Sequence, residues 1–116
     1  MVRYPSINSK DFYKEISRIY KEYKVKKTKK TEKELCFPKK YKLQNPQKFV
    51  AKYISPKTPY KNLLMFHQIG AGKTCASIQI AEEWKHKRKI VVSTPASLIG
   101  NYRKELRTQC VGNDYL

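Results

Sequence analysis

Acidic residues are scarce in this chain: 9 Asp and Glu stand against 26 Lys and Arg in 116 residues, a formal charge of +17. Such an excess opposes compaction and draws a chain toward polyanions. The deficit is uneven, since residues 1–60 hold 17 basic and 5 acidic side chains and residues 61–116 hold 9 and 4. The polyanion-seeking part is therefore the N-terminal half. Nucleic acid is the first candidate, and an anionic membrane surface ranks below it because no strongly hydrophobic amphipathic stretch accompanies the charge. Cysteine is also sparse. Cys36, Cys75 and Cys110 are odd in number, far apart and without paired ligand spacing, so neither a zinc site nor a disulfide framework is indicated, and a reducing compartment fits best. Long apolar runs are missing: none approaches the ~18 residues of a membrane span. Met1-Val2-Arg3-Tyr4-Pro5 lacks the apolar core of a signal peptide, so none is expected, and no internal repeat is visible.

Against these absences stands one dense motif, His67-Gln68-Ile69-Gly70-Ala71-Gly72-Lys73-Thr74. It is a Walker A phosphate loop in all but its first position, where His67 replaces the usual glycine. Asn62-Leu63-Leu64-Met65-Phe66 before it reads as a short buried strand, and the residues from Lys73 to His86 read as a helix. Glycines let the backbone curl so that successive N–H groups converge on phosphate oxygens, and the helix points its positive end at the same place. The spacing assigns Gly70, Ala71, Gly72, Lys73, Thr74 and Cys75 to a nucleotide triphosphate. Lys73 serves as a point charge on the β- and γ-phosphates, and the Thr74 hydroxyl as a ligand of Mg²⁺.

Four helices are expected. In residues 9–23, Phe12, Ile16, Ile19, Tyr20 and Tyr23 make one apolar face, with Ser9 or Asn8 placed to cap it; the face either docks on a neighbouring domain or is buried in the chain's own core. Residues 21–33 are almost wholly basic and polar, a solvated linker or a phosphate-contacting stretch through Lys24, Lys26, Lys27, Lys29 and Lys30. Asn45 as cap and Pro46 at the first helical position open a second helix, which Ser55-Pro56 closes. Helix 73–86 is apolar around more than half its circumference, with Trp84 as a core anchor rather than a base platform. Lys89-Ile90-Val91-Val92-Ser93 reads as the second strand, and Pro95 to Arg107 as the last helix. Two strands cannot close a parallel sheet, which usually has about four to six, so a fragment, or a domain completed by another chain, is expected.

Four features in fixed order resemble the first RecA-like domain of superfamily 2 helicases and translocases. They are Leu43-Gln44-Asn45-Pro46-Gln47, the strand Leu63 to Phe66, the loop Gly70 to Thr74, and Val91 to Leu98. The family tolerates other residues at the position of His67. The resemblance implies that Gln47, 26 residues ahead of Lys73, reads the adenine edge of ATP, with Gln44 as a near competitor. A primary amide can donate to N7 and accept from the N6 amino group. It also implies that Ser93-Thr94-Pro95-Ala96, similar to the family's motif Ia, lies at a nucleic-acid backbone, so Thr94, Pro95, Ala96 and Ser97 are expected to touch phosphates, as the charge run already suggests for Lys26, Lys27, Lys29 and Lys30. More narrowly, the wording of residues 63–78 and 95–106 is similar to DNA-dependent ATPases of large cytoplasmic DNA viruses.

The resemblance thus implies an α/β fold: a partial P-loop (RecA-like) parallel sheet with flanking helices over 43–116, preceded by a basic helical extension over 1–42. Its cofactors would be ATP and Mg²⁺. Its partners would be nucleic acid, DNA ahead of RNA, and the remainder of a helicase or a larger viral transcription assembly, with no membrane. The setting would be a virion, host cytoplasm or nucleus.

One departure matters. The family hydrolyses ATP with an Asp-Glu-x-x motif on a neighbouring strand, and none is present: Glu82-Glu83 lies on the helix after the loop and Asp114 is isolated. Without that carboxylate the main electrostatic and positioning contributions to phosphoryl transfer are missing, so these 116 residues are not expected to turn over ATP efficiently. Two rivals remain, a basic nucleic-acid-binding or virion protein derived from a helicase sequence, and another P-loop nucleoside triphosphatase or kinase.

Overall fold

The chain was analysed as a computed structural model, which describes residues 1–27, 29–31, 41–66, 68, 72–108, 110, 111 and 115. Four α-helices occur among the described residues. They are α1 (Phe12–Ile19), followed by a 3-10 turn (Lys21–Tyr23), α2 (Asn45–Tyr53), α3 (Lys73–Trp84) and α4 (Ala96–Glu105).

The apolar face of α1 is buried in the chain's own core. Ile16 and Tyr20 join Ile54 and Tyr60 in one cluster, surrounded by Tyr4, Phe12, Ile19, Tyr23, Phe49, Tyr53 and Ile80. Aromatic rings supply most of its volume. Tyr53 and Tyr60 stack with centroids 4.5 Å apart, and Tyr20 meets Phe49 edge-on at 5.2 Å. Such pairs contribute about 0.5–1.5 kcal/mol each beyond the area they bury. Their hydroxyls find acceptors, Tyr60 donating to the Pro5 carbonyl at 2.7 Å and Tyr20 to that of Lys52 at 3.4 Å. Residues 1–23 are thereby fastened to α2 and the turn after it.

Helix α2 begins one residue earlier than its sequence suggests. Gln44 is the N-cap, Asn45 the first helical residue and Pro46 the second, where its missing N–H costs nothing. In contrast, α1 begins later, with Asp11 rather than Ser9 or Asn8 at its N-cap position and no side-chain capping hydrogen bond. Helices α2 and α3 lie side by side and run the same way. Near their starts the Gln47 amide reaches Gly72, and near their ends Lys52 pairs with Glu83 while the Trp84 indole N–H donates to the Ile54 carbonyl at 2.9 Å. Trp84 is thus an anchor between helices. On α3, Ala76 and Ile78 are almost fully buried.

The expected partial parallel sheet is not found: among the described residues there is no strand, and the fold is helical rather than α/β. Residues 62–66 and 89–93 form no ladder with each other or with any described segment. A parallel sheet needs neighbours for each strand's N–H and C=O groups and cover on both faces. Neither condition is met here, where Leu64, Phe66 and Val91 are 89%, 94% and 80% exposed. The apolar runs are real, but a run without a partner is not a strand.

A second expectation also fails. Cys75, in the first turn of α3, and Cys110, beyond the end of α4, are joined by a disulfide with Cα atoms 5.9 Å apart. Thirty-five residues separate them, so no local spacing advertises the pairing. The link, with Gln79 Nε2 donating to the Cys110 carbonyl, returns the chain beyond α4 to the first half of α3.

Candidate nucleotide site

Of the loop residues assigned to a triphosphate, Gly70 and Ala71 lie outside the described residues, as do His67 and Ile69. Gly72, Lys73, Thr74 and Cys75 are described. Gly72 caps α3 with φ 76° and ψ 30°, the left-handed region that glycine enters without a Cβ penalty. That turn swings the chain into the helix so that Lys73 and Thr74 occupy its first two positions, both half-buried. No acidic side chain stands in this first turn and none caps it. Helix N-termini leave about four backbone N–H groups without intrahelical partners, so this end of α3 suits an anion in charge and in donors. Lys73 Nζ donates to the Gln68 carbonyl at 3.2 Å, folded back along the loop.

Gln47 lies against this turn and is buried. Its Nε2 donates to the Gly72 carbonyl at 3.3 Å, and its Oε1 accepts from the backbone N–H of Gln44 at 2.9 Å, closing the first turn of α2. A Cβ on Gly72 would collide with Nε2 of Gln47. One amide therefore holds two helix starts together. A contact with adenine has to use the second hydrogen of Nε2 and the second lone pair of Oε1, because the first of each is engaged. Gln44, the competitor, is exposed. The sequence offered no signal for this clamp, which exists only because α2 lies beside the loop.

Cys75 is committed to its disulfide, and its sulfur accepts from the Tyr41 hydroxyl at 3.1 Å. Tyr41 must be the donor, since a disulfide sulfur carries no proton. Burial first, and the Glu105 carboxylate second, push the Tyr41 hydroxyl above the ordinary tyrosine range. Glu82 and Glu83 are engaged away from the loop, with Lys85 and Lys52. Among the described residues no three His, Cys, Asp or Glu side chains come together to hold a metal. The donor set at Thr74 is one hydroxyl, so Mg²⁺ would fit there only as a companion of phosphate oxygens.

The motif Ia residues stand apart from the clamp, at the start of α4. Pro95 is its N-cap, Ala96 and Ser97 its first residues, and Pro95, Ala96 and Ser97 are exposed while Thr94 is half-buried. Thr94 borders a cavity of about 490 Å³ shared with Ser77, Trp84, Val92 and Tyr102. Lys26, Lys27, Lys29 and Lys30 are exposed in the segment after the 3-10 turn. The structure does not bring them to the loop.

Relatives of this chain are helicases by name, from large cytoplasmic DNA viruses. One, from Acanthamoeba polyphaga mimivirus and provisionally named an ATP-dependent RNA helicase, is 52% identical over 113 residues, covering 97% of this chain and 20% of its own. A provisionally named helicase of frog virus 3 (isolate Goorha) is 40% identical over 75 residues, or 60% of this chain and 8% of its own. Another from invertebrate iridescent virus 3 is 31% identical over 93 residues, 63% and 10% of the two chains. The chain thus spans about a fifth of the first relative's length and a tenth or less of the others'. No family model matches it, and no solved structure does. No described helix is long and apolar enough to cross a membrane.

Proposed function

We propose that this chain is the ATP-binding portion of a viral helicase or translocase and contacts a nucleic-acid backbone. The observation that carries the reading is the left-handed Gly72 opening α3 directly into Lys73 and Thr74, in a chain whose relatives are named helicases. Lys73, now donating to the Gln68 carbonyl, would hold the β- and γ-phosphates, the N–H groups of the first turn of α3 would take phosphate oxygens, and the Thr74 hydroxyl would be a ligand of Mg²⁺ bound with them. Bound ATP supplies the phosphoanhydride that a complete helicase breaks. The chain's own part is to grip and orient it. Gln47 fixes the Gly72 turn, so this entry into α3 is preorganised before nucleotide arrives. Glu82 and Glu83 are paired elsewhere, so no described carboxylate is placed to orient an attacking water.

The partner is a nucleic-acid strand, touched by residues 94–97 and by Lys26, Lys27, Lys29 and Lys30. Three mimivirus relatives are named RNA helicases, so RNA belongs beside DNA in any test. Equilibrium dialysis of the chain against Mg²⁺-ATP should show saturable binding of one nucleotide, with no appreciable release of phosphate. Absence of saturable binding overturns the reading; strong nucleic-acid binding without it favours a basic structural protein.

A further inference from the structure

The outward side of α1 is sorted by charge. Phe12, Ile16 and Ile19 face the core. With 3.6 residues per turn, Lys14 and Ser17 fall on the opposite line, continued by Lys10 in the turn before and by Lys21 and Lys24 at the 3-10 turn after. All five side chains are exposed. The three acidic residues of this stretch, Asp11, Glu15 and Glu22, gather on one flank, where Glu15 is paired with Arg18. On the other flank Tyr13 is 82% exposed, its ring held edge-on by Phe12 at 5.4 Å. A merely solvated face has no need to separate its signs, nor to present a flat aromatic ring beside its cations. Positions three or four residues apart recur about every 4.5–6 Å along a helix axis, comparable with successive phosphates on an extended strand, and lysine fills each such position of the line except that of Ser17 between Lys14 and Lys21.

Building on the helicase reading above, we propose that this face of α1 is a docking surface for single-stranded nucleic acid, with the lysine line on the phosphates and Tyr13 stacked on a base. The strand continues along Lys26 and Lys27 at the end of the line. Charge complementarity selects a polyanion, and the exposed ring selects one with unpaired bases, since a duplex hides its base faces. The site lies on the N-terminal 27 residues, apart from the loop and from residues 94–97.

Fluorescence anisotropy over a salt series tests this with labelled oligothymidylate, oligouridylate, a duplex of equal length and phosphatidylserine vesicles as competitor. Tyr13→Ala should weaken single-strand binding about fivefold or more, and Tyr13→Phe should bind as the parent does. Replacing Lys10, Lys14 and Lys21 by Gln should flatten the slope of log affinity against log salt by about 2, at roughly 0.7 for each lost contact on a single strand. These side chains are exposed, so thermal melts should coincide. Parent protein that binds single strands while both variants bind equally well overturns the surface alone. Tighter binding to duplex with Tyr13→Ala unchanged, or competition by vesicles with no strand preference, also overturns it. Failure of the parent to bind any nucleic acid removes the helicase reading as well.

Discussion

Breaking the link between Cys75 and Cys110 should destabilise the chain by about 4 kcal/mol. The bridge spans 35 residues, and the loss of chain entropy from the unfolded state grows with the logarithm of that separation, giving roughly 13 cal/mol/K, or about 4 kcal/mol at 25 °C. Both residues are buried, at 6% and 5% exposure, so native-state strain aside, little solvent competes for the sulfurs. A protein of this size loses about 1–3 kcal/mol per molar urea. The midpoint of unfolding for Cys110→Ser should therefore fall by roughly 1.3–4 M against the oxidised parent, with Cys36→Ser in both proteins to block other pairings. Peptide mapping under thiol-trapping conditions identifies the pair in the parent. An intact Cys75–Cys110 bridge with identical midpoints would refute the loop-entropy argument. A map showing both thiols free after mild oxidation would refute the bridge.

Other consequences are testable alongside it. Gly72→Ala should lose about 1–2 kcal/mol for a left-handed backbone and about 1 more as Gln47 is displaced, read as a lower urea midpoint together with weaker ATP binding. Gln47→Ala should lower both the midpoint and ATP affinity, because the amide ties α2 to the loop; a change in ATP over GTP preference without a stability loss would mean that it reads the base alone. Stability should fall as pH rises above 10. Burial raises the hydroxyl pKa of Tyr20, and to a lesser degree those of Tyr53 and Tyr60, above the unfolded value of 10.0, so the unfolded chain releases protons first. A midpoint that is flat from pH 9 to 12 would contradict the packing of that cluster.

The helices were legible in the sequence because each carries its own period. Phe12, Ile16, Ile19 and Tyr20 mark one face of α1 without help from the rest of the chain, and the resemblance to viral helicases rests on contiguous wording. Contacts between distant segments were not legible. Nothing near Cys75 or Cys110 indicates that they meet; the odd count of three argued against it, and only the return of the chain past α4 brings them together. Gln47 was assigned by its distance from Lys73, whereas its engagement with Gly72 depends on α2 lying beside α3. The strands failed for a related reason. Apolar runs such as residues 62–66 carry hydrophobicity in the chain, but pairing is a property of two segments, and Leu64 and Phe66 stand exposed without one.

The direct test of the nucleotide assignment is a titration of Mg²⁺-ATP, with a fluorescent analogue, into the parent chain and into Lys73→Ala under matched salt. Lys73 is the first residue of α3 and supplies the side-chain charge facing the phosphates in this account. The parent should bind saturably and the variant should lose at least tenfold in affinity, about 1.4 kcal/mol for one charge-assisted contact, while its unfolding midpoint stays unchanged. Equal affinity of the two proteins would contradict the assignment of the loop to a triphosphate.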